Sequence, residues 1–159
     1  MLYQLLGGHL PYDEISWLSK AERKHFNLLS SNADKSIFVD QCVKSKIKKG
    51  TLLDLKSLPP WVTDNLRRTI RKATHTNPDK RFSTASSFHI HLHNMLDAIP
   101  DWTVNDGYPT LNTATAYRIC ENDVGFYIQK SKAGGAWRKD NSFNVTSVGQ
   151  AVQQINEKS

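Results

Sequence analysis

The chain has little of what usually staples a small domain together. Its 159 residues include two cysteines, Cys42 and Cys120, with no CxxC pair and no Cys/His ligand spacing. That pattern argues against a structural zinc site and against a disulfide framework. Two free thiols in a reducing, cytoplasmic compartment are the expectation. Glycine (8) and proline (6) are too scarce for a collagen-like or linker-like chain. No apolar run approaches the ~18–20 residues that span a bilayer, so no membrane segment is expected. The N-terminal stretch Met1-Leu2-Tyr3-Gln4-Leu5-Leu6-Gly7-Gly8 lacks the basic region of a signal peptide. It reads instead as the last turns of a buried helix, which suggests a chain cut from something longer. What remains is ordinary globular composition, 38% hydrophobic and 23% charged, with room for one domain or two small ones.

Charge is unevenly placed. Residues 1–99 carry 15 Lys/Arg against 9 Asp/Glu, whereas residues 100–159 carry 6 against 6, so the net +6 belongs to the first part. Pooled basicity is how a nucleic-acid footprint first shows itself. The plainer reading is a set of solvated helix faces, because the cations sit between apolar positions and never run longer than Lys48-Lys49 or Arg67-Arg68.

The first hundred residues read as punctuated helices. Leu2 to Leu6 stops at Gly7-Gly8. Ser19 and Glu22 have capping-box spacing for a helix to about Leu29, and Ser30-Ser31-Asn32 breaks the chain. Val39, Cys42, Val43 and Ile47 make one apolar stripe on a helix ending at Gly50. Leu58-Pro59-Pro60-Trp61 leads into a helix with stripe Val62, Leu66, Ile70 and Ala73, leaving Arg67, Arg68, Arg71 and Lys72 mostly on the surface. Asn77-Pro78 ends it. Ser83 is a cap for a last helix with stripe Ala85, Phe88, Leu92, Met95 and Leu96. Ile99-Pro100-Asp101 marks a boundary. Beyond it, Ala114–Cys120 and Val124–Gln129 read as strands. Ala133-Gly134-Gly135 supplies a tight turn, and Ala136-Trp137-Arg138 starts a return strand. Val148, Ala151, Val152 and Ile155 form a helical stripe after Ser147, with Gln150 at the capping-box position. The expected class is α+β: about four to five helices over residues 1–98, then a small β-β-β-α module over 101–159.

Two segments carry something more specific. Leu2-Tyr3-Gln4-Leu5-Leu6-Gly7-Gly8-His9-Leu10-Pro11-Tyr12 resembles the end of the long central helix in the C-lobe of eukaryotic-type (Hanks-type) serine/threonine protein kinases. Asn77-Pro78-Asp79-Lys80-Arg81-Phe82 resembles the segment joining the last two helices of that lobe. Lys46-Ile47-Lys48-Lys49-Gly50 and Leu58-Pro59 fall where such kinases end one helix and start another. The resemblance covers about residues 1–97, with a longer span than usual between Tyr12 and Lys46. It implies structural roles for Gly8, Pro11, Tyr12, Pro78 and Arg81. Pro11 turns the chain off its helix, Tyr12 packs back as a plug, and the arginine matching Arg81 is buried against the glutamate of an A-P-E segment. A buried guanidinium needs such a carboxylate to offset its desolvation.

The Gly-rich loop, the ATP-pairing lysine, the H-R-D loop, the D-F-G motif and A-P-E are all missing from the sequence. By itself the chain holds no catalytic residue and no cofactor site. ATP and Mg belong to a full-length parent that would transfer phosphoryl groups to Ser/Thr hydroxyls. The expected partners are a protein substrate or regulator, the missing kinase portion, or a second copy. Residues 14–50 form the expected docking face, with Lys46, Lys48, Lys49 and Trp61 as candidate contacts, and Arg81 is expected to sit at a contact.

Other constellations are weaker. His89, His91 and His93 lack a third metal ligand or an H-E-x-x-H pattern and read as a solvated helix face. Trp61, beside two prolines, reads as a plug at the start of its helix more readily than as a peptide site. Thr146 and Ser147 have no convergent base to make either a nucleophile. Trp137, Tyr117, Phe126 and Tyr127 could line a stacking face for nucleic acid, but the neutral charge of that half favours packing under the terminal helix. The alternative to the kinase reading is a basic helical module for nucleic acid or protein, using Lys44, Lys46, Lys48, Lys49, Arg67, Arg68, Arg71 and Lys72.

Overall fold

The computed structural model describes residues 1–158. Its α+β architecture has six α-helices and one five-stranded antiparallel sheet. The chain folds as two compact units, Met1–His89 and a second starting at Ile90.

Local signals set the helices of the first unit. Helix α1 (Leu2–Leu5) ends where Gly7 takes φ +89°, a left-handed conformation that glycine adopts without strain. Helix α2 (Lys20–Leu28) starts with the full capping box: Glu22 N donates to Ser19 Oγ, and Ser19 N donates to Glu22 Oε2 at 2.6 Å. Helix α3 (Asn32–Lys49) is capped by Ser31 and closed by Gly50 in the left-handed region. Thr51 N reaches back to Lys46 O and Gly50 N to Ile47 O, satisfying carbonyls that the helix end leaves open. Helix α4 (Asp64–Ala73) is capped by the Thr63 hydroxyl. Helix α5 (Ala85–His93) starts from a reciprocal pair in which Ser87 N donates to Thr84 Oγ1 and Thr84 N to Ser87 Oγ. Thr84, not Ser83, is therefore the cap.

The core of this unit gathers Tyr3, Leu18, Val39, Leu58, Val62, Leu66 and Ile70. The expected stripe on α4 holds, with Val62 delivered from the preceding turn. Two other stripes do not hold. On α3, Val39 is buried but Ile47 is half exposed, because this 18-residue helix outruns the nine-residue α2 that covers it. On α5 no side chain is fully buried; the helix stops at His93, and Leu96 sits in a separate 3-10 turn, exposed.

The second unit corrects the expected three strands to five. They are β1 (Trp102–Asn105), β2 (Tyr108–Leu111), β3 (Thr115–Asn122), β4 (Gly125–Lys132) and β5 (Arg138–Lys139), a meander in sequence order. The unforeseen hairpin β1–β2 turns through Asp106 (φ +52°) and Gly107 (φ +83°), the two positive angles of a type I′ turn. Strand β5 is only two residues long. Its expected start at Ala136 is lost because Gly135 is drawn back, its N–H donating to Lys132 O and its carbonyl accepting from the Ser131 hydroxyl. Helix α6 (Val148–Lys158) buries Ala151, Val152 and Ile155 against the sheet, whose facing core residues include Leu111, Tyr117, Ile119 and Ile128.

Candidate functional site

The loop between α4 and α5 is built to hold one arginine in place. Helix α4 stops at Ala73, and Asn77 caps the 3-10 turn Pro78–Lys80 by accepting from Asp79 N at 2.9 Å. Pro78 opens that turn, where its missing N–H costs nothing. His75 contributes twice: its Nδ1 accepts from Asn77 N, and its carbonyl accepts from Arg81 Nε at 2.6 Å. The next residue, Phe82, meets the Phe88 ring at 5.2 Å in a tilted pair and carries the Lys72 ammonium 4.4 Å over its ring. Arg81 itself is exposed, and among the described residues no carboxylate pairs with it, Asp79 included.

At the N-terminus, Gly8 is buried flat against Tyr3; a Cβ there would fall 2.4 Å from the ring. The Tyr3 hydroxyl reaches Asp54 O and Ser57 Oγ, tying α1 to the 3-10 turn Leu55–Ser57. Tyr3 is thus a tyrosine that packs back on the chain, whereas Tyr12, expected to do so, does not. Tyr12 is 97% exposed, and Pro11 before it is half-buried. Tyr12 instead rims an open cleft of about 450 Å³ against α2 and α3, lined also by Glu14, Ile15, Phe26, Lys35 and Val39. Lys35 stands 5.5 Å over the Phe26 ring, and Asp13 accepts from Ile15 N to fix the wall.

The candidate docking cations divide. Lys46 is half-buried, its ammonium donating to Trp17 O and lying 3.1 Å from Glu22 Oε2. It holds the capping box to α3. The Ser19 backbone N–H, then the Ser19 hydroxyl, with Lys46 behind them, pull Glu22 down to about 2. Lys48 and Lys49 are exposed at the end of α3, favourably placed near its negative dipole end. Trp61 is half-buried in the turn ahead of α4.

Arg67 is the residue that sequence reasoning misplaced. Its guanidinium faces inward, donating to Leu55 O, Leu58 O, Pro59 O and Val62 O at 2.6–3.3 Å, with Asp64 at 3.7 Å. The run of peptide carbonyls around Pro59-Pro60, where two prolines remove two donors, was the available signal. Lys44 pairs with Asp40, so Lys44, Lys46, Arg67 and Lys72 are all engaged within the first unit. Lys48, Lys49, Arg68 and Arg71 are exposed.

His89, His91 and His93 are exposed on α5, and among the described residues no group of three or more His, Cys, Asp or Glu is placed to hold a metal ion. Cys42 and Cys120 are free thiols, both pushed up by burial. Thr146 and Ser147 cap α6 through Gln150. The four aromatics proposed for stacking split between the two faces of the sheet. Tyr117 and Phe126 lie on the α6 side, Tyr117 edge-on to Phe143, while Tyr127 and Trp137 lie on the opposite face. Comparison with protein-family models, curated proteins and solved structures returns no match to this chain.

Proposed function

We propose that the helical unit is a docking module of the serine/threonine kinase C-lobe type, non-catalytic in this chain, whose partner supplies a carboxylate to Arg81. The observation that carries this reading is Arg81 itself. It is held at a defined place by His75 and the Asn77–Lys80 turn, yet it is exposed and has no acidic partner among the described residues. A solvated, positioned guanidinium is suited to a bidentate carboxylate. The resemblance of Asn77–Phe82 to the kinase segment names the class of partner: the portion of such an enzyme that ends in A-P-E. The cleft beside Tyr12 offers a second contact within residues 14–50, where the same resemblance puts substrates and regulators.

The test is calorimetric titration of the full chain with a kinase activation-segment peptide ending in A-P-E and with its A-P-Q counterpart. Binding of the first, lost with A-P-Q and with Arg81→Ala, supports the reading. Equal affinity for both peptides, or phosphoryl transfer from ATP and Mg by this chain alone, overturns it.

A further inference from the structure

The second unit is electrically neutral when counted, but the count conceals a sorted surface. The register places one residue from each strand in a single row across the sheet. Thr103 pairs with Thr110, Thr110 with Arg118, Arg118 with Gln129, and Gln129 with Lys139. Side chains alternate between faces along a strand, so the same face also carries Asn105, Tyr108, Ala116, Cys120, Asn122, Tyr127 and Ser131. Its paired strand positions hold no carboxylate; at the β1 edge Asn112 Nδ2 bridges Asp101 Oδ2 (3.2 Å) and Thr103 Oγ1 (3.1 Å), which leaves Asp101 at the end of the row far from Lys139. Glu121 falls on the side of α6, Asp106 and Asp123 sit in turns, and Asp140 draws Lys130 (3.0 Å) and Lys158 (3.7 Å) to the α6 side.

Arg118 is the centre of this face. Its guanidinium lies between two rings, 4.8 Å from Tyr108 and 4.5 Å from Trp137, and Nε donates to Gln129 Oε1 at 2.7 Å. Lys139 stands 5.6 Å over Tyr127. Among the described residues no carboxylate pairs with either cation. Tyr108 is 37% exposed, Tyr127, Trp137, Arg118 and Gln129 are half-buried, and Lys139 is exposed.

We infer that this face binds single-stranded nucleic acid, with Arg118 and Lys139 taking phosphates and the rings of Tyr108, Tyr127 and Trp137 taking bases. Rings beside cations on a sheet face are the chemistry that single strands use, since every base has a π-face and every linkage a charge. Two magnitudes choose among the polyanions. Arg118 and Lys139 stand two strands apart, about 10 Å at the backbone, which suits successive phosphates better than one phosphoserine. Five strands about 4.8 Å apart span ~19 Å, wider than the ~12 Å major groove of a duplex, whereas one strand can lie along the row. The inference does not depend on the kinase reading of the helical unit.

Fluorescence anisotropy of the full chain with labelled single-stranded DNA and RNA of about 12 nucleotides tests it at ~50 mM salt. Binding is expected to weaken about sevenfold on going to ~200 mM salt, the slope for two phosphate contacts on a single strand. Arg118→Ala and Trp137→Ala should each weaken it at least fivefold while circular dichroism stays unchanged. Lys139→Glu, on an exposed two-residue edge strand, gives the same test without touching the packing. No complex at low salt overturns the inference, as does tighter binding of the matching duplex or displacement by a phosphoserine peptide at lower concentration. An affinity untouched by all three variants but lost on neutralising Lys48, Lys49, Arg68 and Arg71 overturns it too, by placing the grip on the helical unit.

Discussion

Two arginines show how differently the two units use the same side chain. In the helical unit Arg67 turns inward and donates to four backbone carbonyls around the Leu58–Val62 turn, joining a proline-rich turn to α4. In the sheet unit Arg118 lies on a face, held by two aromatic rings and one amide oxygen. The first guanidinium finishes hydrogen bonding that backbone amides would otherwise supply. The second is positioned without being neutralised. Net charge by region, +6 for residues 1–99 and zero for the remainder, does not tell which cations are committed internally. Several cations of the basic unit are committed internally, whereas the sheet unit pairs Lys130 and Lys158 with Asp140 on the α6 side and leaves Arg118 and Lys139 without a carboxylate partner among the described residues.

That contrast can be broken at several levels. The largest effects belong to the cores. Ile70→Ala and Ile155→Ala, each removing a side chain at most 2% exposed, should each cost ~2–5 kcal/mol in their own unit. Hydrogen exchange of α4 amides reports the first, and exchange of β3 and β4 amides the second. Next comes the arginine pair. Arg67→Ala leaves several carbonyls short of a charged donor and should cost ~2–3 kcal/mol by chemical denaturation. Arg118→Ala loses a half-buried stacking arrangement worth ~0.5–2 kcal/mol. Similar losses at the two positions would erase the distinction drawn above. Gly8→Ala drives a methyl into the Tyr3 ring and should lower stability by ~1–3 kcal/mol, with Tyr3→Leu in the same chain recovering part of it.

The smallest effect is a pH dependence. The folded Glu22 carboxyl sits at about 2, below its ordinary value of 4.5. As pH falls, the unfolded chain takes up this proton first, so the capping box stabilises α2 fully above pH 4.5. That contribution fades as pH drops toward 2. The melting temperature of Glu22→Gln should lack this component of the acid slope while matching the parent's slope above pH 5. An identical slope in both proteins would mean that Glu22 is not held down.

What was legible in the sequence was local. Ser19 with Glu22, Gly7 and Gly50 act within a few residues of themselves, so the start of α2 and the ends of α1 and α3 could be read directly, whereas Ser30-Ser31-Asn32 read as a break and not as the cap and first residue of α3. The α+β order and the α6 stripe Ala151, Val152 and Ile155 were readable for the same reason. The hairpin β1–β2 escaped because its strands are four residues long and only Asp106-Gly107 announces it. The placement of Arg67 rests on carbonyls up to twelve positions away, and the packing of Tyr3 on a turn more than fifty positions on. The cationic row was the least visible feature. Thr103, Thr110, Arg118, Gln129 and Lys139 share a line only once four registers are set together.

The meander has a consequence for how the second unit comes into being. Every strand pairs with its neighbour in sequence, so each closure is short and entropically cheap, and the sheet can zip up hairpin by hairpin. The long closure is made by α6, whose Asn156 accepts from the Trp102 indole across 54 positions and whose Ile155 is fully buried. During synthesis the strands therefore emerge and pair while one side of the sheet is still bare of its helix. The unit seals only once α6 has followed the strands out of the ribosome and docked on the sheet they form.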